Sequence, residues 1–171
     1  MKKFENFLKQ KAEEAGFSAF CSFNAKLLKI DPTIISFCKE DKCGNYKKNY
    51  MCPPFQKYLD LNKFKTGYLF QTTSKKNNWK SSKINFHLKM LEIEKDLQIK
   101  FPQIFYELFI AGSCELCNPC YAVLNKPCAY PEKAKPSLEA VGINVIELLK
   151  KLKLPSSFND NTITWSAFIL T

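Results

Sequence analysis

Four cysteines in the second half of the chain constrain its fold more than any other sequence feature. Three of them are spaced two residues apart, at Cys114, Cys117 and Cys120, and Cys128 follows directly after Pro127. Three thiolates at this spacing can surround one corner of a metal cluster, and a fourth, more distant cysteine is typical of iron–sulfur ligand sets. Zinc sites more often show two separated cysteine pairs. The pattern therefore favours an iron–sulfur cluster, with a four-thiolate zinc site and inert or disulfide-bonded cysteines as the alternatives.

A first group of cysteines precedes this second group and contains Cys38, Cys43 and Cys52, with no obvious fourth member. These thiolates could hold a cluster with one iron left open, or take a fourth ligand from Cys21 or from the second group. The alternative is that some of them are buried as small hydrophobic side chains, as free cysteines often are. The spacing alone leaves open whether the two groups form two sites or one joint site.

We expect two metal centres. Each group is confined to a short segment, residues 38–52 or residues 114–128, and residues 53–113 between them contain a predicted strand and a predicted long helix. A group within one loop closes around a metal with little loss of loop entropy. The second group already supplies four thiolates, so we expect the first group to complete its site with a non-cysteine, solvent or substrate ligand.

Other residue counts exclude several classes of protein. The formal net charge is +10, but all 26 basic residues are lysine, and base-specific readout of DNA relies on the arginine fork. We therefore expect no specific nucleic-acid partner. His87 is the only histidine, which excludes the two-histidine motif of zinc hydrolases. The five glycines are never close enough together for a phosphate-binding loop.

The location of the protein can be predicted from its first residues and its cysteines. The first 16 residues show helical spacing of apolar residues interrupted by Glu5, Glu13 and Glu14, so they lack the apolar run of a secretory signal. No apolar stretch approaches the length of a membrane span. We therefore expect a cytoplasmic protein without a membrane partner, in which the thiols stay reduced and are available as ligands.

The apolar patterns predict a single α+β domain over residues 1–171, with α/β as the alternative. We expect a small mixed sheet, flanking helices and two cysteine-bearing loops. Helices are predicted over residues 2–15, from Pro53–Pro54 to about 64, from Ser81 or Ser82 to about 100, and over 145–152. Strands are predicted over residues 17–23, 33–38, 68–72, 105–110 and 162–170.

Two stretches of the sequence, FCKEDKCGNYKKNYMCPPF and AGSCELCNPCYAVLNKPCAYPEKAKPSLEAVGINV, resemble a family of predicted metal-binding proteins, domain of unknown function 2284. The resemblance covers about residues 30–150. It implies that seven cysteines are the metal ligands: Cys38, Cys43, Cys52, Cys114, Cys117, Cys120 and Cys128. Pro136, Ser137, Glu139, Ala140 and Gly142 complete the motif. The chain departs from the family pattern at Lys47, where a glycine is usual, and at Ala129, where a basic residue is usual. Cys21 lies outside the pattern.

Taken together, these patterns predict a cysteine-ligated metal protein, most consistent with one or two iron–sulfur clusters of the four-iron type. Such a protein would transfer electrons, or keep a partner enzyme in its active redox state, and would have a redox partner protein. The competing class is a zinc-stabilised interaction module without redox chemistry. A third class, an enzyme with its own substrate at an open iron, would fit the three cysteines of the first group.

Overall fold

The computed structural model describes residues 2–40, 43–156 and 161–171. Within these residues, the chain forms four α-helices, four β-strands and several short 3₁₀ helices. The helices are α1 (Lys2–Glu14), α2 (Pro32–Lys39), α3 (Trp79–Lys100) and α4 (Val145–Lys151). The strands are β1 (Ala19–Asn24), β2 (Thr66–Lys75), β3 (Glu107–Ile110) and β4 (Thr162–Leu170). The α+β prediction is confirmed.

The four strands form one sheet in the order β1-β2-β4-β3, and every neighbouring pair is antiparallel. The expectation of a mixed sheet is therefore wrong. Strands β2 and β3 run in the same direction and are joined by helix α3. A strand–helix–strand connection of this kind usually places the two strands side by side as a parallel pair. Here the C-terminal strand β4 lies between them, so each of the two strands meets an antiparallel neighbour instead.

Both faces of the sheet are covered, because side chains alternate between two faces along each strand. On one face, helices α1 and α3 pack against Tyr68, Phe70 and Trp165. On the other face, helix α4 and the segment before it pack against Leu69 and Phe168. No helix in the described part of the chain is long and apolar enough to cross a membrane.

Glycine at position 67 allows strands β1 and β2 to pair closely. Phe23 and Gly67 are directly opposite each other in the register of the two strands. The Phe23 ring lies over the glycine, and a side-chain carbon built at Gly67 would overlap that ring. The absence of a side chain at Gly67 therefore lets the buried ring of Phe23 pack directly on the backbone of β2.

Local capping signals predicted the ends of two helices correctly. Helix α1 ends just before Gly16, which adopts the left-handed conformation with φ +69°. Helix α4 begins after Asn144, whose side-chain oxygen accepts a hydrogen bond of 3.0 Å from the backbone N–H of Glu147. Helix α3 begins at Trp79, slightly before the predicted serine cap.

Two predicted elements are wrong. Residues 33–38, expected as a strand because of their β-branched residues, form helix α2. Asp31 caps this helix by accepting a 3.0 Å hydrogen bond from the N–H of Thr33, and Pro32 occupies the first turn, where proline is favoured. The helix expected from Pro53 to residue 64 is also not formed, because the chain follows turns there and only Leu61–Lys63 is helical, as a 3₁₀ helix.

Candidate metal centre

The seven cysteines implied as ligands lie outside the sheet, six of them in two loops and one at the end of α2. Cys38 lies in the last turn of α2, and Cys43 and Cys52 lie in the loop between α2 and β2. The second group lies in the loop that follows β3, with a 3₁₀ helix at Tyr121–Leu124 between Cys120 and Cys128. All seven are free thiols, of which Cys43 is exposed and the others are half-buried.

The three thiols of the first group are close enough to affect one another. Burial raises the pKa of Cys52 to about 12, and the charges of Cys43 and Cys38 contribute to the increase. Burial also raises the pKa of Cys38, with smaller contributions from Cys43 and from the Glu139 carboxylate. The structure therefore places Cys38, Cys43 and Cys52 in one neighbourhood.

The four thiols of the second group form another neighbourhood. Burial raises the pKa of Cys114 to about 11, and the charges of Cys117, Cys120 and Cys128 also raise it. Burial raises the pKa of Cys117 as well, and its thiol is hydrogen-bonded to Cys120. The four thiols of this loop therefore influence one another's protonation.

Two backbone N–H groups oppose these increases in the second group. A hydrogen bond from the N–H of Leu116 lowers the pKa of Cys114, and one from the N–H of Tyr121 lowers the pKa of Cys117, although burial outweighs both. Donors of this kind stabilise the anionic sulfur, which is the form that binds a metal.

The two loops also contact each other. The buried side chain of Asn49 donates a hydrogen bond of 2.8 Å from Nδ2 to the backbone oxygen of Cys114. The hydroxyl of Tyr50 donates one of 2.8 Å to the backbone oxygen of Lys126. In addition, the charge of Cys114 contributes to the raised pKa of Cys52. The two groups of cysteines are therefore adjacent in space, with Cys52 and Cys114 at their junction.

The segment that follows the second loop holds the first loop in this position. The backbone N–H of Asp31 donates to the oxygen of Gly142 at 2.8 Å, and the N–H of Leu59 donates to the oxygen of Val141 at 3.2 Å. Gly142 has φ +90°, and a side-chain carbon there would lie 2.6 Å from the Tyr58 ring. Asp31, just before α2, and Leu59, after the first loop, are thus both attached to the backbone of residues 141–142.

Sequence reasoning missed two residues at this junction. Asn49 joins the loops, and Lys83 of helix α3 forms an ion pair of 3.1 Å with Glu115, which lies between Cys114 and Cys117. Lys83 lies four residues before His87 and seven before Met90, so it shares a helix face with these two buried residues, which is a weak sign that Lys83 is buried too. Nothing in the sequence identified Asn49. Cys21 lies on β1, and burial alone raises its pKa.

The seven thiols suit a thiophilic metal in their chemistry. Within residues 2–40, 43–156 and 161–171, no three His, Cys, Asp or Glu side chains lie close enough together to hold a single metal ion. Raised pKa values of Cys52 and Cys114 mean that these thiols are neutral at pH 7 in the metal-free chain. Metal binding therefore has to displace protons and draw the thiols of each group together.

A comparison with known families agrees with the resemblance of the cysteine motifs. The model of the domain of unknown function 2284 family, described as a predicted metal-binding protein, matches residues 21–171. No curated protein and no solved structure matches the chain significantly. The match covers most of the chain and includes all seven cysteines of the two loops. The chain therefore belongs to the domain of unknown function 2284 family of predicted metal-binding proteins.

Proposed function

We propose that this chain is an iron–sulfur protein with two adjacent centres, one in each cysteine group, and that it exchanges electrons with a partner protein. The observation that carries the proposal is the second group, in which four neighbouring thiols lie in one loop with backbone N–H donors on two of the sulfurs. A triplet at two-residue spacing plus one cysteine is typical of four-iron clusters. When bound, such clusters supply one-electron oxidation and reduction.

The residues around the thiols have identifiable tasks in this function. The N–H groups of Leu116 and Tyr121 stabilise sulfur charge, and hydrogen bonds to ligand sulfurs tune the potential of iron–sulfur centres. Asn49 fixes one loop against the other, so that the distance between the two groups stays constant. Adjacent centres suit the passage of an electron from one group to the other.

The surface of the two loops supports a protein partner. Apolar side chains are exposed on both loops and on the end of α2, at Phe37, Phe55, Tyr121, Leu124 and Tyr130. Exposed apolar side chains of this size are available for contact with a partner protein. The chain as a whole carries a formal net charge of +10. We therefore expect a partner with an acidic surface around an apolar contact, because opposite charges speed the encounter.

Elemental analysis tests the proposed function directly. Iron, zinc and acid-labile sulfide are measured per chain after purification without oxygen. We expect iron and sulfide together and little zinc, and a brown protein. Zinc without sulfide in a colourless protein would contradict the proposal and would identify the zinc-stabilised interaction module instead.

A double variant tests the two-centre arrangement. Replacing Cys43 and Cys52 with serine removes two of the three thiols of the first group and leaves the second group complete. We expect part of the iron to be lost and the remainder to stay bound. We also expect the first centre of the wild type to lose iron first in air or chelator, because it has only three cysteines. Retention of all the iron, or loss of all of it, would show that the two-centre arrangement is wrong.

A further inference from the structure

Lys83 is a buried cation that reaches the metal-binding loops from the core side. It lies in the second turn of α3, and its side chain is 8% exposed. The ammonium group passes close to Gly112, where a side-chain carbon would lie 3.1 Å from Nζ. On another side, Nζ lies 5.7 Å from the centre of the Trp165 ring, within the range of a cation–π interaction. Glycine at position 112 therefore leaves room for a lysine in this place.

The ammonium group binds both neighbours of Cys114. Nζ donates to Ser113 Oγ at 3.2 Å and to Glu115 Oε1 at 3.1 Å. Ser113 Oγ in turn donates to the same Glu115 oxygen at 2.8 Å. This triangle of contacts fixes the backbone on both sides of Cys114 and holds a positive charge beside it.

The charge of Lys83 also reaches the first group. Burial and the neighbouring thiols raise the pKa of Cys52, whereas Lys83 opposes them. Its counter-ion Glu115 has the more exposed side chain of the pair, at 27% against 8% for Lys83. Water screens the more exposed charge more strongly. Lys83 is therefore the member of the pair whose charge acts on Cys52.

We propose that Lys83 sets the reduction potential of the second-group centre, to which Cys114 belongs, by stabilising its reduced form. The inference rests on the proposed function. One-electron reduction adds one negative charge to the centre, and a fixed positive charge in a poorly screened position favours that state. Lys83 is thus a positioning residue with an electrostatic effect, since it touches the neighbours of a ligand and supplies no ligand itself.

The test compares reduction potentials of the metal-loaded protein by redox titration with dithionite and mediators. Lys83→Met removes the positive charge, and we expect the reduction equilibrium to shift at least tenfold toward the oxidised form, about 59 mV to more negative potential for one electron. Glu115→Gln breaks the same ion pair but removes a negative charge, so we expect a shift to more positive potential. Lys80→Met, at an exposed lysine of the same helix, is the matched control and should change the potential little.

The opposite signs separate an electrostatic role from a structural one. If the ion pair only holds the loop in place, Lys83→Met and Glu115→Gln would shift the potential in the same direction or not at all, and either result would overturn the inference. Should Lys83→Met lose its iron, Lys83→Arg and Glu115→Gln decide the question. A wild-type reduction potential in Lys83→Arg together with a more positive potential in Glu115→Gln would support the inference. An unchanged potential in Glu115→Gln would overturn it. Iron and sulfide measured on the wild type test the proposed function separately, and their absence would overturn both proposals.

Discussion

Asn49 should determine how firmly the two cysteine-bearing loops are joined. It is 3% exposed, its Nδ2 donates to the backbone oxygen of Cys114 at 2.8 Å, and its Oδ1 accepts from the N–H of Met51 at 3.0 Å. Asn49→Ala removes both bonds and leaves a carbonyl and an N–H without their partners. A buried polar group left unpaired costs about 1–3 kcal/mol.

The expected loss of stability follows from these two groups. Both bonds are only partly buried, so water can reach part of the gap, and we take the lower end of the range for each. The free energy of unfolding should then fall by about 2 kcal/mol. For a chain of this size, each kcal/mol lowers Tm by about 2–4 °C, which gives a decrease of about 4–8 °C.

Asn45 provides a matched control in the same loop. Its Nδ2 donates to the backbone oxygen of Cys43 at 2.9 Å, but this bond is local and exposed. Water can replace it, so Asn45→Ala should change stability by no more than about 0.5 kcal/mol. Thermal unfolding of each purified protein, followed by circular dichroism without oxygen, measures the difference. Equal Tm values for the two variants would refute the argument that Asn49 joins the loops.

Three further predictions concern the site and the sheet. Cys117→Ser should lose most of the bound metal and lower solubility, because a partly held site leaves its loop unsupported; full metal content with unchanged folding would contradict the assignment of the second group. Cys21→Ala should leave the metal content unchanged, since Cys21 lies on β1; loss of about half the metal would instead make Cys21 a ligand of the first group. Gly67→Ala should lower the free energy of unfolding by about 1–3 kcal/mol in urea denaturation, because the new carbon overlaps the Phe23 ring. Adding Phe23→Leu to that variant should recover part of the loss, and an unchanged midpoint for Gly67→Ala alone would show that the ring moves aside freely.

Local signals in the sequence determined several parts of this protein. Gly16 and Asn144 mark helix ends because a left-handed residue and a capping side chain act within one turn. The spacing of the second cysteine group likewise confines its four thiols to one loop, residues 114–128. The strand predicted at residues 33–38 is wrong because Asp31 and Pro32, which are also local signals, favour the start of a helix there.

The tertiary structure decided how the strands are ordered and how the two loops meet. Strand β4 separates β2 from β3, and nothing in the sequence near β2 or β3 specifies this, because the choice depends on pairing between distant segments. The hydrogen bonds of Asp31 to Gly142 and of Asn49 to Cys114 join residues far apart in the chain. The sequence therefore determined which thiols each loop carries. The packing of the loops on the sheet and on α3 placed the two cysteine groups side by side, with Lys83 beneath them, because such contacts form only once the core has assembled.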